Sequence, residues 1–243
     1  MKILTLSFDD CEIYDRRLCA LLRQYGLTAT FYLISGQLGV KVPFHRYGRD
    51  TVVERVRADE LPETYRGMEV ASHTRSHTLA VPDPAAEAEE SLAELSALSG
   101  QAVCGLAYPG GRFTPQVIEA LRKTSVRYAR GASPTYRFDR PEDWLAWQPT
   151  CHYADAETPA LIEAFLAAPP GSDLLLHLFG HSYELTRPDA HWDWAYLEGL
   201  LRRLAGGSGV TCLTNGQAAR CMRKEKAHDS YLSASGERDR FRA

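Results

Sequence analysis

Short apolar runs alternate with stretches of helical period along most of this chain. Runs rich in aliphatic, β-branched and aromatic residues lie at Lys2–Phe8, Thr28–Ser35, Met68–His73, Ala102–Pro109, Val126–Arg130, Leu145–Thr150, Asp173–Gly180 and Gly209–Thr214, and each reads as a strand. Between several of them lie helices with readable ends. Leu18, Leu21, Leu22 and Tyr25 keep helical spacing, and Gly26 fits the stop position. Asp83 stands as an N-cap before Pro84, which tolerates the first helical position. Glu87, Glu89 and Glu90 then sit near the positive helix end, Leu92, Leu95 and Leu98 form an apolar stripe, and Gly100 closes the helix. This alternation predicts an α/β chain with a parallel sheet covered by helices, open or closed into a barrel. Residues 36–50 follow neither period and read as a long loop beside the second strand. Residues 223–243 are charged and lack an apolar period, so a domain over 1–222 and a mostly disordered tail are expected.

Composition narrows the class. The 243 residues are enough for one large α/β barrel or two small domains, and 44% hydrophobic with 24% charged residues is ordinary for a globular protein. A net charge of −3 without a basic stripe argues against nucleic acid as a partner. No apolar run approaches the roughly 18 residues of a membrane span, and the start is too short for a secretory segment, so a soluble, cytoplasmic protein is expected. The six cysteines form no C-x-x-C pair and read as buried thiols rather than a zinc cluster.

Candidate chemistry begins at Ser7-Phe8-Asp9-Asp10, directly after the first apolar run. Two adjacent carboxylates at the end of a buried strand repel each other, and a divalent cation relieves that repulsion. The second signal is His73-Thr74-Arg75-Ser76-His77, after the apolar stretch Met68–Ala71. Two histidines four apart face the same way on a helical turn and suit one metal, although chance pairing on a loop produces the same spacing.

Taken together and in this order, the two motifs resemble those of the NodB-homology polysaccharide deacetylases, carbohydrate esterase family 4. The resemblance spans roughly residues 2 to 216. It implies a distorted (β/α) barrel of seven to eight strands, with its site at the C-terminal strand ends, where barrel enzymes keep their chemistry. It also implies a divalent metal, Zn first with Co, Ni or Mn as alternatives, held by Asp10, His73 and His77. Asp9 becomes the general base.

The third motif departs from the family pattern. Relatives often carry R-P-P-Y-G, whereas this chain reads Ala107-Tyr108-Pro109-Gly110-Gly111. The arginine that usually steadies the base is missing, and Gly110 falls where an oxyanion-hole N–H belongs, unless the segment is simply a turn before a helix starting near Thr114. Arg130 closes the next strand and is the replacement favoured here, with Arg112 the competitor. Late in the chain, Leu174-Leu175-Leu176-His177-Leu178-Phe179-Gly180-His181-Ser182-Tyr183-Glu184 offers two acids. Residues 177, 179 and 181 share a strand face. His181 lies nearer the strand end, and G-H-S-Y-E together with A-Y-P resembles one subgroup of the family, so His181 is favoured and His177 reads as a barrel-lining residue. Glu184 and Asp143 are the candidates to orient such an imidazole, and spacing alone does not choose between them. Tyr108, Pro109 and Tyr183 are candidate substrate contacts, with Trp192 weaker and Trp194, in helical register with Leu197, structural.

The expected activity is metal-dependent removal of an acyl group, most plausibly acetyl, from an amino sugar or glycan precursor. Hydrolysis of a non-glycan C–N bond in a formamido or ureide compound is the alternative on the same fold. A catalytically silent carbohydrate-binding relative is the third reading, and retention of Asp9, Asp10, His73 and His77 speaks against it.

Overall fold

The computed structural model of the protein describes residues 1–188 and 190–223. Strand β1 (Lys2–Asp9) is followed by α1 (Asp15–Gln24), β2 (Thr30–Leu33), β3 (Lys41–Arg46), β4 (Arg49–Glu54), α2 (Leu61–Thr64) and β5 (Glu69–Ser72). Then come α3 (Pro84–Ser99), β6 (Gly105–Ala107), α4 (Pro115–Leu121), β7 (Tyr128–Arg130) and β8 (Cys151–His152). The chain finishes with α5 (Thr158–Ala167), β9 (Leu174–His181), α6 (Trp194–Ala205), β10 (Val210–Cys212) and a last helix α7 over residues 215–223.

Eight of the strands form one curled, all-parallel sheet in the order β7-β6-β5-β2-β1-β9-β8, a half-barrel as expected from the alternation. β10 also pairs with β1, taking its first residues (Lys2 opposite Val210) while β2 takes its last (Asp9 opposite Tyr32). Side-chain alternation sorts β1 and β9 into two faces. Leu4, Leu6, Phe8, Leu176 and Leu178 pack outward in the core beneath the helices. Ile3 and Leu175 face the barrel interior, with Tyr32, Ala71, Ala107, Tyr128, Trp144 and Trp147, and α7 contributes Ala218, Ala219 and Met222 to that inner core.

The helix ends follow the local chemistry. Asp83 caps α3 by accepting the N–H groups of Ala85 and Ala86, and Gly100 ends it in the left-handed conformation. Thr114 caps α4 in the same way, accepting from Val117.

Two segments differ from expectation. Residues 36–50 are largely ordered: β3 and β4 form an antiparallel hairpin that projects from the barrel, turning at Tyr47-Gly48 with both residues left-handed. Its faces are both largely exposed, so no single-sided apolar period marked it in the sequence. The second is Leu145–Thr150, which forms no strand; β8 begins only at Cys151. Trp144 and Trp147 both turn into the inner core, edge to face at 5.1 Å, and this needs a tight turn closed by Ala146 N–H on Asp143 O. The segment meets β7 at a single bridge, Arg130 with Trp147, and Pro149 has no N–H to extend a ladder.

All six cysteines are free thiols, but only Cys11, Cys19 and Cys151 are buried as expected, Cys104, Cys212 and Cys221 being partly exposed. No helix among the described residues is long and apolar enough to cross a membrane. The charged tail anticipated from 223 lies, beyond Arg223, outside the described residues.

Candidate active site

The C-terminal ends of β1, β5, β7 and β9 bring Asp9, Asp10, His73, His77, Arg130 and His181 together. Asp9 is the last residue of β1 and Asp10 the first beyond it, its N–H bonded to Tyr32 O at 3.1 Å. Asp10 and Cys11 then adopt φ of 78° and 49°, a left-handed conformation that non-glycine residues rarely hold without outside support. The turn points the two carboxylates into the same space from different backbone directions.

His73 and His77 do not lie on a helical turn. They sit in a loop after β5 in which Thr74 and His77 are left-handed, with φ of 64° and 62°. Thr74 Oγ1 accepts the N–H of Thr78, and Glu87 Oε1, from the first turn of α3, accepts the N–H groups of both Arg75 and Ser76. These local side-chain bonds compete with helix formation and still bring the two imidazoles face to face, Nε2 to Nε2 at 3.2 Å.

The donor set suits a divalent cation. Asp10 Oδ1 is 3.7 Å from His73 Nε2 and 3.6 Å from His77 Nε2, and it is buried with no hydrogen-bond partner. His73 Nδ1 lies 2.9 Å from Ala107 O, so that nitrogen carries the proton and Nε2 presents a lone pair toward Asp10. Burial alone would raise the Asp10 carboxyl, but the imidazoles of His181, His73 and His77 outweigh it and hold the group below its usual range. His77 is pushed down by burial and by its neighbour His73, which keeps it in the neutral form a metal ligand needs.

Asp9 faces a different neighbour. Arg130 Nη2 donates to its Oδ1, while Oδ2 lies 3.9 Å from His73 Nε2. The guanidinium is 1% exposed and lies over the rings of Tyr32 and Phe179. Arg112 is exposed on the loop after β6. Of the two arginines weighed from sequence, Arg130 is the one that reaches Asp9.

Of the two late histidines, His181 joins the cluster and His177 does not. His181 Nε2 is 3.9 Å from Asp10 Oδ2, and its Nδ1 is 3.2 Å from Glu184 Oε1. Burial lowers its pKa, but the Glu184 carboxylate, with Asp10 and Asp9, more than reverses this and raises it to about 9. His177 lies four residues deeper on the same face, 3.0 Å from Ser7 Oγ and packed near Trp147. There it lines a cavity of about 560 Å³ away from the carboxylates, and burial keeps its pKa well below the ordinary value. Of the two acids considered for orienting the imidazole, Glu184 is in place, whereas Asp143 is bound to Arg122.

The candidate substrate contacts divide. Tyr108 is buried, its hydroxyl donating to Leu145 O at 2.7 Å and its ring packed on Phe113, so it offers no face to a sugar. The A-Y-P string signalled an aromatic but not its direction, and the strand turns it inward. Pro109 and Gly110 form a short 3₁₀ turn at the end of β6, with Gly110 exposed and left-handed at φ 64°. Tyr183 stands beside His181, ring centroids 5.0 Å apart, with the Arg46 guanidinium of the β3–β4 hairpin 3.6 Å over its ring. Trp192 and Trp194 pack against the outer core, Trp194 under Arg17. The sequence reading missed Arg46, whose hairpin looked like a loop, and His152, which lies 2.9 Å from Glu184 with no motif around it.

Comparisons with known proteins bear on the fold and the family. A family model described as Polysaccharide deacetylase matches residues 1–129. No curated protein matches the sequence. Among solved structures, a Mycobacterium smegmatis protein assigned as a polysaccharide deacetylase superposes with a TM-score of 0.64 at 15% identity, covering 92% of this chain and 91% of that one. A family 4 carbohydrate esterase from Streptomyces lividans, in complex with acetate, gives 0.52 at 18% identity over 86% and 90%. A Bacillus cereus polysaccharide deacetylase gives 0.48 at 20% identity over 58% of this chain, which spans only 44% of that protein's length. The Mycobacterium smegmatis and Streptomyces lividans structures show a shared fold, and the family model covers more than half of the chain. This chain belongs to the polysaccharide deacetylase family.

Proposed function

We propose that the protein is a metal-dependent deacylase that hydrolyses the N-acetyl or O-acetyl group of an amino sugar or glycan precursor. The observation that carries this reading is the convergence of a base carboxylate, a ligand set and a protonated imidazole on one point at the strand ends. Family membership and the acetate held by the S. lividans relative support acetyl as the acyl group.

Asp10, His73 and His77 would hold a divalent cation, Zn²⁺ first and Co²⁺, Ni²⁺ or Mn²⁺ as alternatives, which supplies Lewis acidity to the acyl carbonyl and the attacking water. Asp9 accepts the water proton at Oδ2, the oxygen left free when Arg130 occupies Oδ1. The guanidinium fixes the carboxylate plane. His181 carries a proton at neutral pH and donates it from Nε2 to the departing nitrogen, with Glu184 behind Nδ1 stabilising the charged ring. Gly110 N–H donates to the developing oxyanion, and Tyr183 offers an aromatic edge beside the leaving group. Tyr108 is removed from the substrate contacts, and Pro109 shapes the Gly110 turn.

The test is release of acetate from N-acetylglucosamine oligomers and from O-acetylated sugars, after chelation and after readdition of each metal. Metal-dependent release supports the reading. Bound metal without acyl release from any N-acetyl, O-acetyl or N-formyl substrate leaves a binding protein.

A further inference from the structure

Behind His181, on the side away from Asp10, one oxygen of the Glu184 carboxylate meets three polar groups. His152 Nε2 lies 2.9 Å from Oε2, the His181 backbone N–H donates to it at 3.1 Å, and the Tyr153 hydroxyl shares its single proton between Oε2 at 3.1 Å and His181 O at 3.0 Å. The other oxygen, Oε1, lies 3.2 Å from His181 Nδ1, a charge contact rather than an aligned hydrogen bond.

The ring state of His152 follows from its own contacts. Its Nδ1 accepts the backbone N–H of Ala154 at 3.1 Å, so Nδ1 carries no proton. A neutral ring then has its proton on Nε2, where it faces Glu184. We infer that His152 is a positioning residue for the proposed acid: it clamps Glu184 so that the carboxylate holds a proton on His181 Nδ1 and leaves Nε2 to deliver the other.

The packing is built for this contact. His152 on β8 stands beside β9, opposite Phe179, and a methyl group on the next residue, Gly180, would come within 2.9 Å of His152 Nε2 and 2.2 Å of the Tyr153 ring. Glycine at 180 is what lets the two rings reach Glu184 across the strand. Without His152, Oε2 keeps only the His181 N–H and the shared Tyr153 hydroxyl, and the carboxylate is freer to swing away from the His181 ring. Second-shell partners of this type typically contribute about 10- to 100-fold.

The proposal rests on His181 as the acid, so the test separates the two. Nitrogen-15 NMR of the metal-free protein should find His152 protonated at Nε2 alone. A proton on Nδ1 of that ring overturns the clamp directly. In kinetics, two substrates are compared: an N-acetylated sugar, whose amine needs a proton to leave, and an activated aryl acetate, whose phenolate does not. His152→Ala should lower kcat on the amide by about 10- to 100-fold while KM and aryl-ester turnover change little. His152→Gln, which keeps a donor near the same place, should recover most of the amide rate. Equal losses on both substrates, or no loss on the amide, overturn the assignment.

His152, His181 and Glu184 also lie close enough to ligate a cation of their own. A second metal equivalent that disappears in His152→Ala would make the residue a ligand rather than a clamp. If His181→Ala spares the amide reaction, the acid reading fails and the clamp with it, and that failure shows in a variant whose His152 is untouched.

Discussion

Arg130 and Asp9 are paired across the barrel interior from strands that never touch, β7 and β1, with three strands between them in the sheet. The resemblance places an arginine at the position of Ala107, and here the guanidinium beside Asp9 comes from Arg130 instead. Here Ala107 is fully buried and its carbonyl holds His73, so an arginine side chain at that point has nowhere to go.

Removing the guanidinium leaves a buried carboxylate without a partner. Arg130→Ala should therefore destabilise the protein by about 3–5 kcal/mol, read by denaturant unfolding, and Arg130→Lys should recover stability better than activity because it lacks the planar fork. Metal uptake should survive both changes. A fully active Arg130→Ala would show that Asp9 needs no orientation.

Metal and base separate by substitution. Asp10→Ala and His77→Ala should abolish metal binding, measured by metal content after dialysis. Asp9→Asn should retain metal but lower kcat by about 10²- to 10⁴-fold. An active Asp9→Asn removes the base assignment.

The two late histidines should behave differently. His181→Ala should lower turnover on an N-acetyl substrate by about 10²-fold or more with metal content unchanged. His177→Ala should act mainly on stability, because its ring fills the space between Ser7 and Trp147. Equal and mild losses in both would sink the assignment of His181.

Two buried groups give the protein opposite pH responses. Burial raises the Asp15 carboxyl to about 7 from 3.8, even though Ser182 and Tyr65 donate to it. The folded state keeps that proton where the unfolded chain has released it, so this contribution to stability is present in acid and is lost as pH rises through about 7. Asp15→Asn should flatten the decline. His177 has the reverse sign: it stays neutral when folded while the unfolded ring takes a proton below 6.5, so its contribution is lost as pH falls below that value. His177→Gln should reduce the acid loss. Denaturation midpoints of the metal-free variants between pH 5 and 8 check both slopes.

Much of the site was legible because its chemistry is local in sequence. Asp9-Asp10 and His73–His77 are short motifs whose residue types suit a metal, and strand alternation alone placed His181 on the same face as His177. The choice between Arg130 and Arg112, and between Glu184 and Asp143, could not be made from spacing. Each pair is separated only by which side chain the curved sheet points inward. Tyr108 misled for the same reason: its position beside the motif was right and its direction was not.

The alternation of apolar runs with capped helices was by itself sufficient for a parallel α/β architecture, since each run and each cap is set by neighbours a few residues away. The short motifs at Asp9-Asp10 and His73–His77, not the alternation, supplied the candidate site residues. Only the tertiary structure decided what lies behind Asp9 and His181, because Arg130 meets Asp9, and His152 meets Glu184, through contacts of 121 and 32 residues' separation that closure of the barrel creates. The hairpin at 41–54 and the missing strand at 145–150 belong to the same category. Their backbones follow the packing of Trp144 and Trp147 or project into solvent, and neither leaves a period in the sequence to read.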